Sequence, residues 1–154
     1  KKKLYIQKLI IIIFFFLNIF TNCIAIENNH FLSLKNNKVN VRYGPGFDYP
    51  IKYIYKKKFL PVKIIDKKEN FRKIIDHKKN SGWIHISQLK KSKSLIATSE
   101  KILFKKPTKY SEPLVKLEEG RLLIFKKCEK NWCNIKSGQY SGWIDKNNIW
   151  GMSK

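Results

Sequence analysis

Arginine is scarce in a chain that is otherwise strongly basic. The 154 residues carry 33 Lys and Arg against 11 Asp and Glu, for a formal net charge of +22, yet only Arg42, Arg72 and Arg121 are arginine. Nucleic-acid recognition draws on rigid guanidinium forks or on an RNA-binding signature, and neither is present, so no nucleic-acid partner is expected. The lysines run through the whole chain beside abundant Asn and Ile. That spread fits compositional bias and a solvated surface, with a polyanion site as the rival reading. Histidine is also rare, at three residues. There is no Gly-x-Ser-x-Gly elbow, no His-Glu-x-x-His pair and no Cys–His arrangement with a suitable environment. Asp76 and His77 are adjacent, but neighbours on a strand face opposite ways. The expectation is a non-catalytic protein with no cofactor and no metal. Sustained helical periodicity is missing too, which leaves an all-β fold.

What is present begins with an address. Lys1, Lys2, Lys3 and Lys8 precede an unbroken apolar run from Leu9 to Leu17, and Cys23-Ile24-Ala25 follows. A basic head, a short apolar core and small residues before a cleavage point read as a secretory signal peptide over residues 1–25. Asn18, Thr21 and Asn22 count against an uncleaved anchor, because a spanning helix wants about 20 predominantly apolar residues. Phe20 and Asn22 argue against a lipid-modified Cys23. The expected product is exported, periplasmic and without a stable membrane anchor.

Cleavage would leave Cys128 and Cys133, an even count that in an exported chain reads as a disulfide. The intervening Glu129-Lys130-Asn131-Trp132 is short enough to join two antiparallel strands, where cross-strand neighbours approach bonding distance. Zinc is the competing use of the pair, but His30, His77 and His85 all lie outside that part of the chain.

The organisation is written twice. Ser81-Gly82-Trp83-Ile84-His85 returns as Ser141-Gly142-Trp143-Ile144-Asp145, and Asn70-Phe71-Arg72-Lys73-Ile74 returns as Asn131-Trp132-Cys133-Asn134-Ile135. A repeat of about sixty residues exceeds a solenoid unit and suits one small β-domain. Two tandem domains follow, at residues 31–90 and 95–151, with Lys90 to Ser94 as the linker. Strands are expected near residues 31–35, 38–42, 51–55, 60–65, 71–76 and 82–86. The second copy should repeat them near 95–98, 101–105, 114–117, 121–127, 132–136 and 142–145. Tyr43 to Pro50 is a long loop, with Gly44 and Gly46 expected to take backbone angles closed to other residues. Trp150 reads as a C-terminal plug.

Asn40-Val41-Arg42-Tyr43-Gly44-Pro45-Gly46, then Tyr49-Pro50-Ile51, then Gly82-Trp83-Ile84 closely resembles the bacterial SH3-like domain. More specifically, the chain resembles the tandem SH3-like arrangement of exported proteins in Gram-negative bacteria, over about residues 31–151. The resemblance implies two small SH3-like β-barrels. It also implies a ligand groove between the first long loop and the later turns, lined by Tyr43, Tyr49 and Trp83, with Asp48 as the loop's acid. Arg42 would meet a carboxylate there or simply face solvent. Trp83 and Trp143 have a plain alternative as barrel-edge packing, and Tyr43, Phe47 and Tyr49 as loop packing. The implied partner is a cell-wall peptide, as for similar domains attached to murein hydrolases; the alternative is a structural adaptor that docks another envelope protein.

Overall fold

Alternation decides the first module. In Val39-Asn40-Val41-Arg42 the two valines are fully buried while the residues between them are half-exposed, as the two-residue period of a strand requires. The computed structural model describes residues 30–152, so the expected signal peptide lies outside the described residues. Its first half contains β1 (Phe31–Leu34), β2 (Val39–Arg42), β3 (Ile51–Tyr55), β4 (Pro61–Lys68), β5 (Phe71–Ile75), β6 (Ser81–His85) and β7 (Leu89–Lys91). The second contains β8 (Ser94–Ala97), β9 (Lys101–Phe104), β10 (Pro113–Leu117), β11 (Leu122–Glu129), β12 (Trp132–Ser137), β13 (Tyr140–Asp145) and β14 (Ile149–Trp150).

The first seven strands form one antiparallel sheet in the order β3-β2-β6-β5-β4-β1-β7, and the second seven form another in the order β10-β9-β13-β12-β11-β8-β14. The two orders correspond strand for strand. Each sheet curls around a core of its own, built from Leu34, Val39, Val41, Val62, Ile74 and Ile84 in one case and Leu95, Leu103, Leu123, Ile135 and Ile144 in the other. The all-β tandem expected from the sequence is therefore what the chain forms.

Two short edge strands escaped the sequence reading. β7 and β14 are too brief to show alternation, and β7 occupies part of the expected linker. Only Ser92 and Lys93 separate β7 from β8.

The modules share buried surface. All four residues of β8 are buried, and its two faces serve two cores. Leu95 and Ala97 enter the second module's core, while Ile96 joins the first module's. Trp150, paired with Ile96 across β14 and β8, packs edge-on against Phe31 with ring centroids 5.1 Å apart and donates its indole N–H to the Pro61 carbonyl at 3.2 Å. The plug expected at the C-terminus thus closes the first module rather than its own.

Candidate functional site

The Gly-Trp pair has a steric cause. A Cβ on Gly82 would lie 2.4 Å from Val41 Cγ1, and one on Gly142 would lie 2.5 Å from the Phe104 carbonyl oxygen. Glycine lets β2 cross β6, and β9 cross β13, at a distance no side chain would permit. At each crossing the tryptophan faces the last residue of the crossing strand, Arg42 for Trp83 and Phe104 for Trp143.

Arg42 then acts on the loop that follows it. Its Nη1 donates to the Phe47 carbonyl at 3.1 Å and the Tyr49 carbonyl at 2.7 Å, and its guanidinium lies 5.5 Å from the Phe47 ring centroid. The Tyr43 amide closes the loop on the Pro50 carbonyl at 3.2 Å. Neither Gly44 nor Gly46 has a left-handed φ, contrary to expectation. Glycine is needed because the Tyr49 ring lies over them. A Cβ on Gly44 would sit 2.2 Å from Tyr49 Cδ1, and one on Gly46 would sit 3.3 Å from Tyr49 Cδ2.

Held this way, the loop displays its aromatic residues. Tyr43 is 63% exposed, Phe47 64% and Tyr49 46%, and Asp48 beside them is exposed as well. Phe47 is the ring tied back to the sheet: it packs edge-on against Phe71 at 5.2 Å and lies 5.1 Å from His85. Phe71 and His85 face each other across β5 and β6, with rings 5.2 Å apart. Trp83, two residues before His85 on β6, shares its face and is half-buried. His85 also caps the turn at Ile86–Gln88, accepting from the Ser87 amide at 3.3 Å. Tyr43 stands apart from this cluster, its ring under the Lys52 ammonium at 5.6 Å.

Of the residues expected at a site, Arg42 and Tyr49 meet through the loop, and Trp83 is Arg42's strand neighbour. Arg42 anchors the loop through these bonds. Phe47 was weighed with Tyr43 and Tyr49 as loop packing or ligand contact, and it packs on the sheet while staying exposed; Phe71 was not among the expected site residues. The signal for Phe71 was available in the period of two, because it is the strand partner of His85, which shares a face with Trp83.

Below the opposite end of the first sheet, Asp76 is almost wholly buried and accepts from Tyr55 at 2.9 Å, from the Asn80 side chain at 3.0 Å and from the Lys78 and Asn80 amides. Burial, aided by the Tyr53 hydroxyl and the Asp76 carboxylate, drives the Tyr55 pKa far above that of a free tyrosine. Burial lowers the pKa of neighbouring His77. The Asp76 carboxylate staples the turn through Tyr55, Lys78 and Asn80, while among the described residues the buried His77 Nδ1 has no hydrogen-bond partner. Among the described residues no His, Cys, Asp and Glu group could hold a metal ion, and no helix is long and apolar enough to cross a membrane.

Cys128 and Cys133 are direct cross-strand partners in the β11–β12 hairpin and form a disulfide.

A family model described as the bacterial SH3 domain matches the chain twice, over residues 35–91 and 97–151. This chain belongs to the bacterial SH3 domain family. Its two SH3 modules are also similar to the solved structures of NlpC2 and NlpC1 from Trichomonas vaginalis. Each is 13% identical with a TM-score of 0.38, over 82% and 81% of this chain. The match spans 49% of the NlpC2 chain and 46% of the NlpC1 chain, so this protein corresponds to about half the length of either. A comparison with curated proteins finds no match.

Proposed function

We propose that this protein is an exported, non-catalytic binding protein of the cell envelope that recognises peptidoglycan peptides with its first SH3 module. The observation that carries the reading is the loop from Tyr43 to Pro50, whose backbone is held by Arg42 and whose Phe47 ring packs on Phe71 and His85 while Tyr43 and Tyr49 stay exposed. Aromatic groups displayed on a fixed backbone give large contact area while losing little conformational freedom on binding. Tyr43, Phe47, Tyr49 and Trp83 supply that area, and Asp48 offers a carboxylate to a peptide amino group. A disulfide in so small a domain suits an oxidising compartment, which supports export to the periplasm.

Co-sedimentation of the oxidised protein with purified peptidoglycan, at low and at high salt, tests the proposal. Salt-resistant binding that is lost in Trp83→Ala, Tyr49→Ala or Phe47→Ala, with circular dichroism unchanged, is the expected result. Binding abolished by salt would reduce the interaction to lysine charge. No binding at either salt would sink wall recognition and leave docking to another envelope protein as the reading to pursue.

A further inference from the structure

Lys58, in the run Lys56-Lys57-Lys58 before β4, and Lys90, at the module junction, both reach one aromatic ring, that of Phe59. The Lys90 ammonium lies 4.0 Å from the centre of that ring and the Lys58 ammonium 5.2 Å from it. Beside the ring is a cavity of about 410 Å³ lined by Ser33, Phe59, Lys90, Lys91, Lys93, Ser94 and Ile124. Both modules build it, the first through β1, β7 and Phe59, the second through β8 and β11.

The floor is fixed with unusual care. Phe59 has φ of 65°, a left-handed conformation that is costly for a bulky side chain and persists only where the surroundings over-determine it. Its amide donates to the Leu34 carbonyl at 3.0 Å, and its carbonyl accepts from the Ser94 hydroxyl of the other module at 2.5 Å. Ser33, buried with Ser94, bonds to the hydroxyls of Ser92 at 2.8 Å and Ser94 at 2.7 Å, so the serines satisfy one another and ask nothing of a ligand. What remains is apolar wall under a cationic rim. Among the described residues no carboxylate lies within ion-pair distance of Lys58, Lys90, Lys91 or Lys93.

We propose that this inter-module cavity binds a small amphiphilic anion, with a hydrocarbon chain seated on Phe59 and Ile124 and a carboxylate held by the lysine rim. The volume lies in the range of small-molecule sites, and ammonium groups gathered over a low-dielectric wall focus a field that favours a negative head. An apolar body without charge would leave the rim unpaired, and a charge without a body would find only solvated lysines. The site is separate from the aromatic loop and does not depend on the wall-peptide reading.

Decanoate is the probe, titrated into the oxidised protein while backbone amide shifts are followed by NMR, with decanol and acetate as its uncharged and chainless counterparts. Saturable shifts at Ser33, Lys91, Ser94 and Ile124 are expected, with both counterparts at least about tenfold weaker. Lys93→Gln, at an exposed position that folding does not need, should weaken decanoate several-fold, and Ile124→Glu should abolish it. Trp83→Ala should leave it unchanged. Equal affinity for decanol or acetate would overturn the proposal, as would shifts scattered over lysines elsewhere or confined to residues 43–50. Undiminished binding by Lys93→Gln would overturn it too, whatever Ile124→Glu does to the fold.

Discussion

The two modules close their long loops with the same backbone bond and fill them with opposite chemistry. Tyr43 N–H to the Pro50 carbonyl in the first becomes Lys105 N–H to the Glu112 carbonyl in the second, at 3.2 and 3.1 Å. In the first the crossing residue is Arg42, which turns to the loop and holds it from within. Phe104 stands there in the second and packs edge-on against Trp132 at 5.8 Å, while a Lys105–Glu112 ion pair spans the loop outside. Of the loop's rings only Tyr110 is left, wholly exposed and unsupported. The same divergence runs through the hairpins. Cys128 and Cys133 face each other in β11 and β12, and the pair of positions that matches them in β4 and β5 is Lys67 and Arg72. The first module leaves three aromatic residues exposed on its loop, and the second carries an internal disulfide staple. The contrast suggests one binding module and one supporting module.

Support in that sense should be physical, and the largest expected effect lies at Ile96. It belongs to the second sheet by its backbone pairing and to the first module's core by its side chain. Ile96→Ala should cost about 2–5 kcal/mol, the usual range for a buried isoleucine. Thermal unfolding followed by calorimetry should then show one transition shifted downward as a whole. Two separate transitions, with only the second module's moving, would break the picture of a coupled pair.

A smaller effect is available by moving the staple. Because Lys67 and Arg72 hold the register of Cys128 and Cys133, the double variant Lys67→Cys, Arg72→Cys should oxidise to a second disulfide. For so short a loop the gain is about 2 kcal/mol in the chain-entropy picture, matched by a similar loss when the native pair is reduced. Free-thiol titration and denaturant midpoints check both halves. Persistent free thiols in the variant would mean the two hairpins are less alike than their registers suggest.

Arg42→Ala should be milder for stability, about 1 kcal/mol, because its hydrogen bonds are partly solvated. Its consequence is local. Amide hydrogen exchange at Tyr43 should speed up while exchange at Lys105 stays as it was, since the second loop has no such anchor. Equal acceleration at both would deny Arg42 its particular role.

How much of this was legible follows from which signals are local. Val39 and Val41 alternate with polar neighbours, and the Gly-Trp repeat recurs at one spacing, so strands and modules could be read directly. The direction an arginine takes is not local: Arg42 leaves its strand facing outward, and only the curvature of the loop brings two carbonyls to it. Nor is the sharing of Ile96. A run such as Ser94-Leu95-Ile96-Ala97 announces a strand buried on both faces without saying that the second face belongs to a neighbouring module. Gly44 and Gly46 looked like turn residues and turn out to be floor for Tyr49, a contact that depends on how the loop folds back.

The subtlest contrast is electrostatic. Val39, fully buried in β2, corresponds to Lys101 in β9, and His85 corresponds to Asp145. Lys101 is itself nearly buried and reaches Asp145 Oδ1 at 2.9 Å. Burial works against the Asp145 charge, but the Lys101 ammonium and the Asn147 amide outweigh it, and the carboxyl pKa falls below the ordinary value. A carboxyl whose pKa is depressed by folding stabilises the native state above its unfolded pKa of about 3.9, and that contribution is lost as pH falls through the lower folded value. Stability should therefore decline in acid over that window. In Lys101→Met the methionine fills the space apolar Val39 occupies in the first module, and Asp145 loses the cation that lowered its pKa. The acid decline of the melting temperature should then flatten relative to the native protein, because less separates the folded and unfolded pKa. An unchanged slope would assign the acid sensitivity to other carboxylates and remove this last difference between the two cores.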